Sequence, residues 1–490
     1  MASRPKNTAS QRTLVWFRGK DLRVTDHAPL RSAIEAGEVV PLFVLDPYFF
    51  APKRAQQLPH RMQFLLESLA ALQKNIEHLG SRLLLVAGKS VDVVPRLARE
   101  LNITRVVAQR WTEPFGRERD RRVAEALTTA VPFTLFDGET LMSPETVRNG
   151  SGQPFSVFTP FARALRRELP EVKPLPAPKT LPPLPADVRL ESAQLPSLAD
   201  LGITENPGLQ RGGERAARER LREFLDSAAA HYDSRRDRMD LPGTSRLSAD
   251  LKFGTLSVRS VWAAVTGSAP KAQRALEVYT NELLWREFTH ASLWDRPQLL
   301  TQPFRPDFAD FPWTEDQAGW EAWVSGHTGF PVVDASARQL LAEGFVHNRA
   351  RMISASFLTK HLLVHYKQGE AHYMKYLTDG DWAQNNAGWQ WSAGCGTDAQ
   401  PYFRVFNPTL QGEKFDPNGD YVRRYVPELA KLPAKFIHRP AEAPAKVLEA
   451  AGVKLGETYP EPVVDHAMAR DRFLKIAESH LKGRGARDGG

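Results

Sequence analysis

The segment EVKPLPAPKTLPPLP, residues 171–185, divides the chain into two regions of different periodicity. Together with Pro170 it carries seven prolines. Proline lacks an amide hydrogen and fixes φ near about −65°, so neither a helix interior nor a central strand forms here. The stretch reads as an extended connector crossing a surface between two folded regions.

Upstream of it, short β-branched and apolar runs alternate with helical patterns. The runs 13–17, 39–45, 82–86, 105–108 and 133–136 predict strands, and 61–79 and 91–101 predict helices. This alternation is the signature of βαβ units and a parallel sheet. No GxGxxG follows the first strand, so a dinucleotide held at that turn is not indicated. Downstream, the apolar period is helical over 213–230, 276–293, 333–344, 348–366 and 370–377. The pattern predicts a doubly wound, Rossmann-like parallel-sheet domain over 13–140. A linker over 141–205 and an all-helical domain over 206–485 follow.

Composition narrows the functional classes. The 490 residues are 42% hydrophobic and 25% charged, ordinary values for a folded globular chain. No run of about 18 apolar residues is present, so no membrane helix is expected. The polar first dozen residues lack a secretory signal, and the single cysteine, Cys395, excludes a disulfide framework. A cytoplasmic protein is the expectation. A formal charge of +8 suits a polyanionic partner such as nucleic acid, or simply a basic enzyme.

Of 11 tryptophans, nine fall between Trp262 and Trp391, in the helical half. Indoles serve as core filler or as stacking platforms. Glu282 and Trp285 share a helix face at i, i+3, which suits stacking an aromatic ring and bonding its edge, or a half-exposed surface. Asn385 and Trp389 share a face at i, i+4, as do Asn348 and Met352. Arg349 and Arg351 point elsewhere, toward phosphates, a carboxylate or solvent. The run 243–248, GTSRLS, makes an anion cradle or a plain N-cap. Asp379-Gly380-Asp381 offers two carboxylates about a turn, with no His or Cys close in sequence, so no metal is expected.

Taken together, these segments resemble the cryptochrome/photolyase family, and within it the microbial class I cyclobutane pyrimidine dimer (CPD) photolyases. The resemblance rests on LVWFRGKDLR at 14–23, EPFGRERD at 113–120 and GTSRLSADLKFG at 243–254. ELLWREF at 282–288, TGFPVVDASARQL at 328–340 and HNRARMISASFLTK at 347–360 extend it, and 379–419 is its densest block. It implies an α/β domain joined by a long linker to a helical FAD-binding domain. It also implies light-driven repair, in which photoexcited FADH⁻ donates an electron to a dimer flipped out of UV-damaged DNA.

The resemblance further implies roles for single residues. Tyr232, Thr244, Ser245, Arg246, Leu247 and Ser248 match cofactor phosphate and ribose positions. Asp379, Gly380, Asp381 and Asn385 match positions around the flavin ring. Arg351 is expected to pair with Asp379, and Tyr279 stands near the cofactor. Trp285, Trp391, Glu282, Asn348 and Met352 match the dimer pocket, and Arg236, Arg349 and Arg404 match DNA-phosphate contacts. Trp389 and Trp313 match the inner and outer members of an electron-transfer chain whose middle position is Tyr366 here instead of tryptophan.

EPFGRERD implies a deazaflavin antenna in preference to a folate. A monomer is the family expectation. The rival reading is a cryptochrome, a photoreceptor without repair; Asn385, Glu282 and both pocket tryptophans favour the enzyme. A (6–4) photolyase is disfavoured by Asn348 following His347.

Overall fold

The computed structural model describes residues 11–127, 129–267 and 273–485. Five parallel strands form one sheet in the order β3-β2-β1-β4-β5. They are β1 (Gln11–Phe17), β2 (Gly37–Leu45), β3 (Leu84–Ala87), β4 (Arg105–Gln109) and β5 (Phe133–Phe136). Pairing of β1 with β2 runs in register from Gln11 opposite Gly37 to Phe17 opposite Phe43.

The sheet forms because both faces of its strands are apolar. Side chains alternate along a strand. Val15 and Phe17 therefore join the core under the helix Pro59–His78, while Leu14 and Trp16 join the core under the helix Ser90–Glu100. Burial on both faces is what a parallel sheet needs and what its continuous apolar runs encode. The strand order reverses between β1 and β4, and the crevice beyond the strand ends there is where open α/β sheets bind ligands.

The proline-rich connector is extended and docked on the sheet domain. Leu181 N–H donates to the Leu79 carbonyl (2.7 Å), and Asp26 N–H donates to the Leu175 carbonyl (2.9 Å). The first part of the linker is not a spacer. It contains the helix Phe158–Glu168, whose Phe161 and Leu165 pack with Tyr232, Tyr279, Leu283 and Phe288 of the helical half.

The helical half is built around Gln273–Asp295, Pro331–Glu343, Asn348–Ser356, Tyr366–Tyr376 and Trp382–Ala393. One expectation is corrected: 348–366 is not a single helix. After Ser356 the chain widens into a π-helical turn, Phe357–His361, and Leu363 takes a left-handed φ of 57°. His365 then caps a new helix, its Nδ1 accepting from Lys367 N–H. Apolar residues continue through the break, so periodicity alone does not register it. The break seats the buried Lys360, whose Nζ donates to the Arg404 carbonyl (2.8 Å). Among the described residues, no helix is long and apolar enough to cross a membrane.

Candidate cofactor and lesion site

The helix Trp382–Ala393 organises the site. It packs against Gln273–Asp295, Asn348–Ser356 and Tyr366–Tyr376. Three of these helices thereby bring Trp285, Met352, Asn385, Trp389 and Trp391 onto neighbouring elements. Gly369 permits this packing, because a Cβ there would lie 2.2 Å from the Trp389 ring.

Asp381 caps the helix. Its Oδ1 accepts from Ala383 N–H (3.0 Å) and Gln384 N–H (3.1 Å), the N-cap arrangement expected of Asp. Its Oδ2 lies 3.0 Å from Lys20 Nζ. Both oxygens of the Asp381 carboxylate are thus engaged within the protein, one by the helix start and one by Lys20. Lys20 Nζ also contacts Glu113 (2.9 Å) and Glu139, and all four side chains are buried. Burial alone depresses the Lys20 pKa, but Asp381, Glu113 and Glu139 outweigh it and hold the ammonium charged. Burial pushes the Glu113 pKa up against the pull of Lys20. The Asp381 pKa is lowered: burial opposes this, and Lys20 leads the groups that override it.

His290 sits at the edge of this cluster, with Nε2 4.0 Å from Asp381 and Nδ1 2.7 Å from Thr112 Oγ1. Burial drives its pKa down to about 4, so the ring is neutral. Glu139, His290 and Asp381 are close enough to hold a metal ion. Lys20 already contacts two of the three, so the cation of this cluster is the lysine. Sequence reasoning missed Lys20, Glu113, Glu139 and His290, which come from four separate segments with no shared spacing.

Around this frame lie the predicted cofactor residues. Arg351 Nη2 bonds Asp379 Oδ2 (2.8 Å), as expected, and Arg351 Nε donates to the Val346 carbonyl (2.7 Å). The second carboxylate oxygen of Asp379 is buried and has no hydrogen-bond partner among the described residues. A buried, unpartnered carboxylate oxygen is costly and calls for a donor. Asn385 is buried, with Nδ2 donating to the Glu370 carbonyl (3.0 Å), which leaves its Oδ1 as an acceptor. Tyr279 O–H donates to Ser245 Oγ (3.0 Å). Arg246, at φ 52°, turns its guanidinium to Glu343 (2.8 Å). Thr244 and Ser245 are half-buried, and Ser248 is exposed at the start of the helix Ser248–Phe253. Tyr232 and Leu247 are core residues beneath this cradle.

At the lesion end, Trp285 stacks on Phe158 (3.9 Å between centroids, 8° between planes). Trp391 and Met352 are half-buried, and Asn348 is exposed with Nδ2 3.8 Å from Met352 Sδ. Two predicted phosphate ligands have carboxylate partners: Arg236 pairs with Glu282 (2.6 Å) and Arg349 with Asp237 (2.8 Å). Arg404 is exposed. Burial outweighs Arg236 and raises the Glu282 pKa.

A separate cavity of about 70 Å³ lies beyond the strand ends of the sheet, lined by Trp16, Arg18, Trp111, Phe115 and Arg119 among others. Arg119 lies over both indoles, 4.9 Å from Trp16 and 4.4 Å from Trp111, and Tyr48 stacks on Phe115 (4.3 Å) at the rim. The volume is small beside the roughly 300–1,000 Å³ usual for ligand pockets.

Comparison with known proteins agrees with this geometry. Residues 13–179 match a family model described as DNA photolyase, and residues 279–479 match the FAD binding domain of DNA photolyase. The chain is a member of the DNA photolyase family. A family relative named deoxyribodipyrimidine photo-lyase, from Agrobacterium fabrum, is 40% identical over 468 residues, 94% of this chain and 96% of its own. A solved bacterial class III photolyase from Agrobacterium tumefaciens superposes with a TM-score of 0.89 at 38% identity, covering 98% of this chain and 100% of that one. A cryptochrome of Synechocystis sp. PCC6803 follows at 0.86 and 30%, covering 95% and 99%. Photolyases and a cryptochrome thus share the architecture, and function is decided by the site.

Proposed function

We propose that the chain is a deoxyribodipyrimidine photo-lyase that uses reduced FAD and light to split cyclobutane pyrimidine dimers in DNA. The observation that carries this reading is the Asp379 carboxylate just before the helix of Asn385: Arg351 holds its Oδ2, while its buried Oδ1 has no partner among the described residues. It marks a place built for a donor that the protein does not itself provide. Tyr232, Thr244, Ser245, Leu247 and Ser248 would hold the phosphates and ribose, with Tyr279 orienting the Ser245 hydroxyl. Asp379, Arg351 and Asn385 would hold the ring system, and Asp381 would act indirectly, by fixing the helix start. When bound, reduced FAD supplies the electron that opens the cyclobutane ring and recovers it afterwards.

The remaining work falls to the protein. Trp285 and Trp391 stack against the extruded dimer, each contributing about 1–3 kcal/mol. Extrusion is selective because a dimer stacks and pairs poorly. Burial raises the Glu282 pKa against the pull of Arg236, and its carboxyl group would hydrogen-bond a pyrimidine edge. On binding, Arg236 and Arg349 exchange their carboxylates for phosphates, and Arg404 joins them. The Trp285–Phe158 stack keeps one wall of the pocket rigid.

For a second chromophore we propose a deazaflavin-type ring, not a folate, admitted when Tyr48 and Phe115 separate. Extraction and absorption spectroscopy of the purified protein identify it. The protein is proposed to act as a monomer in the cytoplasm. The test of function uses protein reduced anaerobically and an oligonucleotide with one cis-syn thymine dimer. Recovery of thymine absorbance under blue light, absent in the dark, is the expected result. Bound, reduced flavin without recovery would establish the cryptochrome reading instead.

A further inference from the structure

The loop 394–407 leaves the central helix after Trp391 and enters the helix Pro408–Phe415. Several groups tie down its first half. Cys395 N–H donates to the Gln390 carbonyl (3.0 Å), Asp398 N–H to the Ser156 carbonyl (3.1 Å) and Gln400 Nε2 to the Ser392 carbonyl (3.0 Å). The second half, 401–406, carries Arg404, whose N–H donates within the loop to the Pro401 carbonyl (3.0 Å). Among the described residues, the hydrogen bond that reaches 401–406 from another segment comes from Lys360 Nζ, on the Arg404 carbonyl (2.8 Å).

That donor is both costly and rigid. Lys360 is wholly buried, and an ammonium taken out of water is expensive to keep charged. Burial, with a smaller push from the Arg404 guanidinium, lowers its pKa to about 7. The charged and the neutral amine both keep an N–H for the carbonyl, so the contact survives either state. The backbone under Lys360 is pinned on both sides. Thr359 Oγ1 donates to the Ala355 carbonyl (2.7 Å), and Arg472 of the C-terminal helix donates to the His361 carbonyl (2.5 Å). Phe473 of the same helix lies 5.7 Å from the ammonium and covers it. On the far side of the loop, Arg404 is exposed and, unlike Arg236 and Arg349, has no carboxylate partner among the described residues. Like charges repel, so the ammonium behind the loop favours a guanidinium turned outward.

We propose that Lys360 is a positioning residue for DNA binding, which from inside the protein fixes the backbone of Arg404 so that its guanidinium meets a DNA phosphate. The proposal rests on the reading of Arg404 as a phosphate contact. A loop fixed beforehand loses less freedom when DNA binds. Without Lys360 the guanidinium keeps its charge, but 401–406 must be ordered anew at each encounter.

The test titrates an oligonucleotide carrying one cis-syn thymine dimer with flavin-bound protein, from about 50 to about 200 mM salt. Parent, Lys360→Met, Arg404→Ala and the double variant are compared. Loss of one phosphate contact flattens the plot of log binding constant against log salt by about 0.9, so a variant's deficit shrinks about 3.5-fold across that range. Both single variants are expected to show this flattening, and the double variant no more than either alone. Repair by reduced Lys360→Met should show a raised KM with kcat retained. Should Lys360→Met fail to fold, Lys360→Gln, one bond shorter and too short for the Arg404 carbonyl, carries the same expectations. The parent's slope in the Lys360 variant, or losses that add in the double variant, overturns the positioning while leaving Arg404 a contact. The parent's slope in Arg404→Ala overturns the phosphate assignment and the positioning with it. Dimer DNA bound by the parent without repair would overturn the proposed function and not the role of Lys360 in binding.

Discussion

Replacing Lys20 by methionine removes the one ammonium that Glu113, Glu139 and Asp381 share, while keeping an unbranched stem of similar length. The four side chains are at most 8% exposed, so solvent does not replace the lost charge. Removing one partner of a buried ion pair destabilises by roughly 3–5 kcal/mol. Glu113 accepts a proton most readily, which relieves part of the repulsion and leaves Glu139 and Asp381 to bear the rest. The expected loss at pH 7 is therefore about 3–5 kcal/mol, and not a multiple of it. The sign of the pH dependence follows from Asp381, whose folded pKa lies below its ordinary value of 3.8. Stability from this group is present above 3.8 and lost only as pH falls through the lower folded value. Without Lys20, burial raises the carboxyl pKa values instead, so between pH 7 and 5 Lys20→Met should recover more stability than the parent gains, and the gap between them should narrow. Urea unfolding at both pH values measures this through midpoint and slope. A loss under about 1 kcal/mol at pH 7, the size of a surface pair, would refute the reasoning. So would a gap that does not narrow toward pH 5.

Three further outcomes are expected. Trp285→Ala should weaken dimer binding by about 1–3 kcal/mol; Trp285→Phe should lose less because its ring still stacks on Phe158, and a binding titration on dimer-containing DNA checks both. Burial outweighs Arg286 and lifts the Glu287 carboxyl to about 7, so the folded state holds a proton that the unfolded state releases near 4.5. Stability from this group is full below 4.5 and falls as pH rises to about 7; Glu287→Gln, which can still accept from Leu141 N–H, should raise the melting temperature at pH 8 and not at pH 5. Arg404→Ala should reduce the slope of log binding constant against log salt by about one contact's worth; Arg236→Ala should reduce it less, since its guanidinium is already paired with Glu282.

The sheet domain was legible because each strand is a short apolar run and each helix a longer amphipathic one, and the boundaries moved by only a few residues. The connector was legible through proline chemistry, yet Phe158–Glu168 was not, because the core it joins lies in a distant part of the chain. The Arg351–Asp379 pair was implied by the family resemblance, and the shared helix of Asn385, Trp389 and Trp391 follows from local spacing. The break after Ser356 does not, since Leu358 and Leu362 keep the apolar period across it. Lys20 was unreadable for a different reason: a lone lysine after a strand carries no sign that three carboxylates will close on it. Likewise, nothing in the spacing of Trp320, Trp323 and Trp389 says that the first two stack and that the third meets Trp323 edge-on.

The stack of Trp285 on Phe158 bears on how the chain can be cut. A fragment starting at residue 206 would contain every residue assigned to flavin or DNA, and by that measure looks self-sufficient. It would lack Phe158, the backbone bond from Asp398 N–H to the Ser156 carbonyl (3.1 Å) and the lysine that closes the cap of the central helix. The helical half is thus not a portable module. Grafting it onto another protein, or expressing it by itself, would leave one pocket wall unbraced and Asp381 without its lysine. The chain is better treated as one unit whose N-terminal half is internal scaffolding for the other.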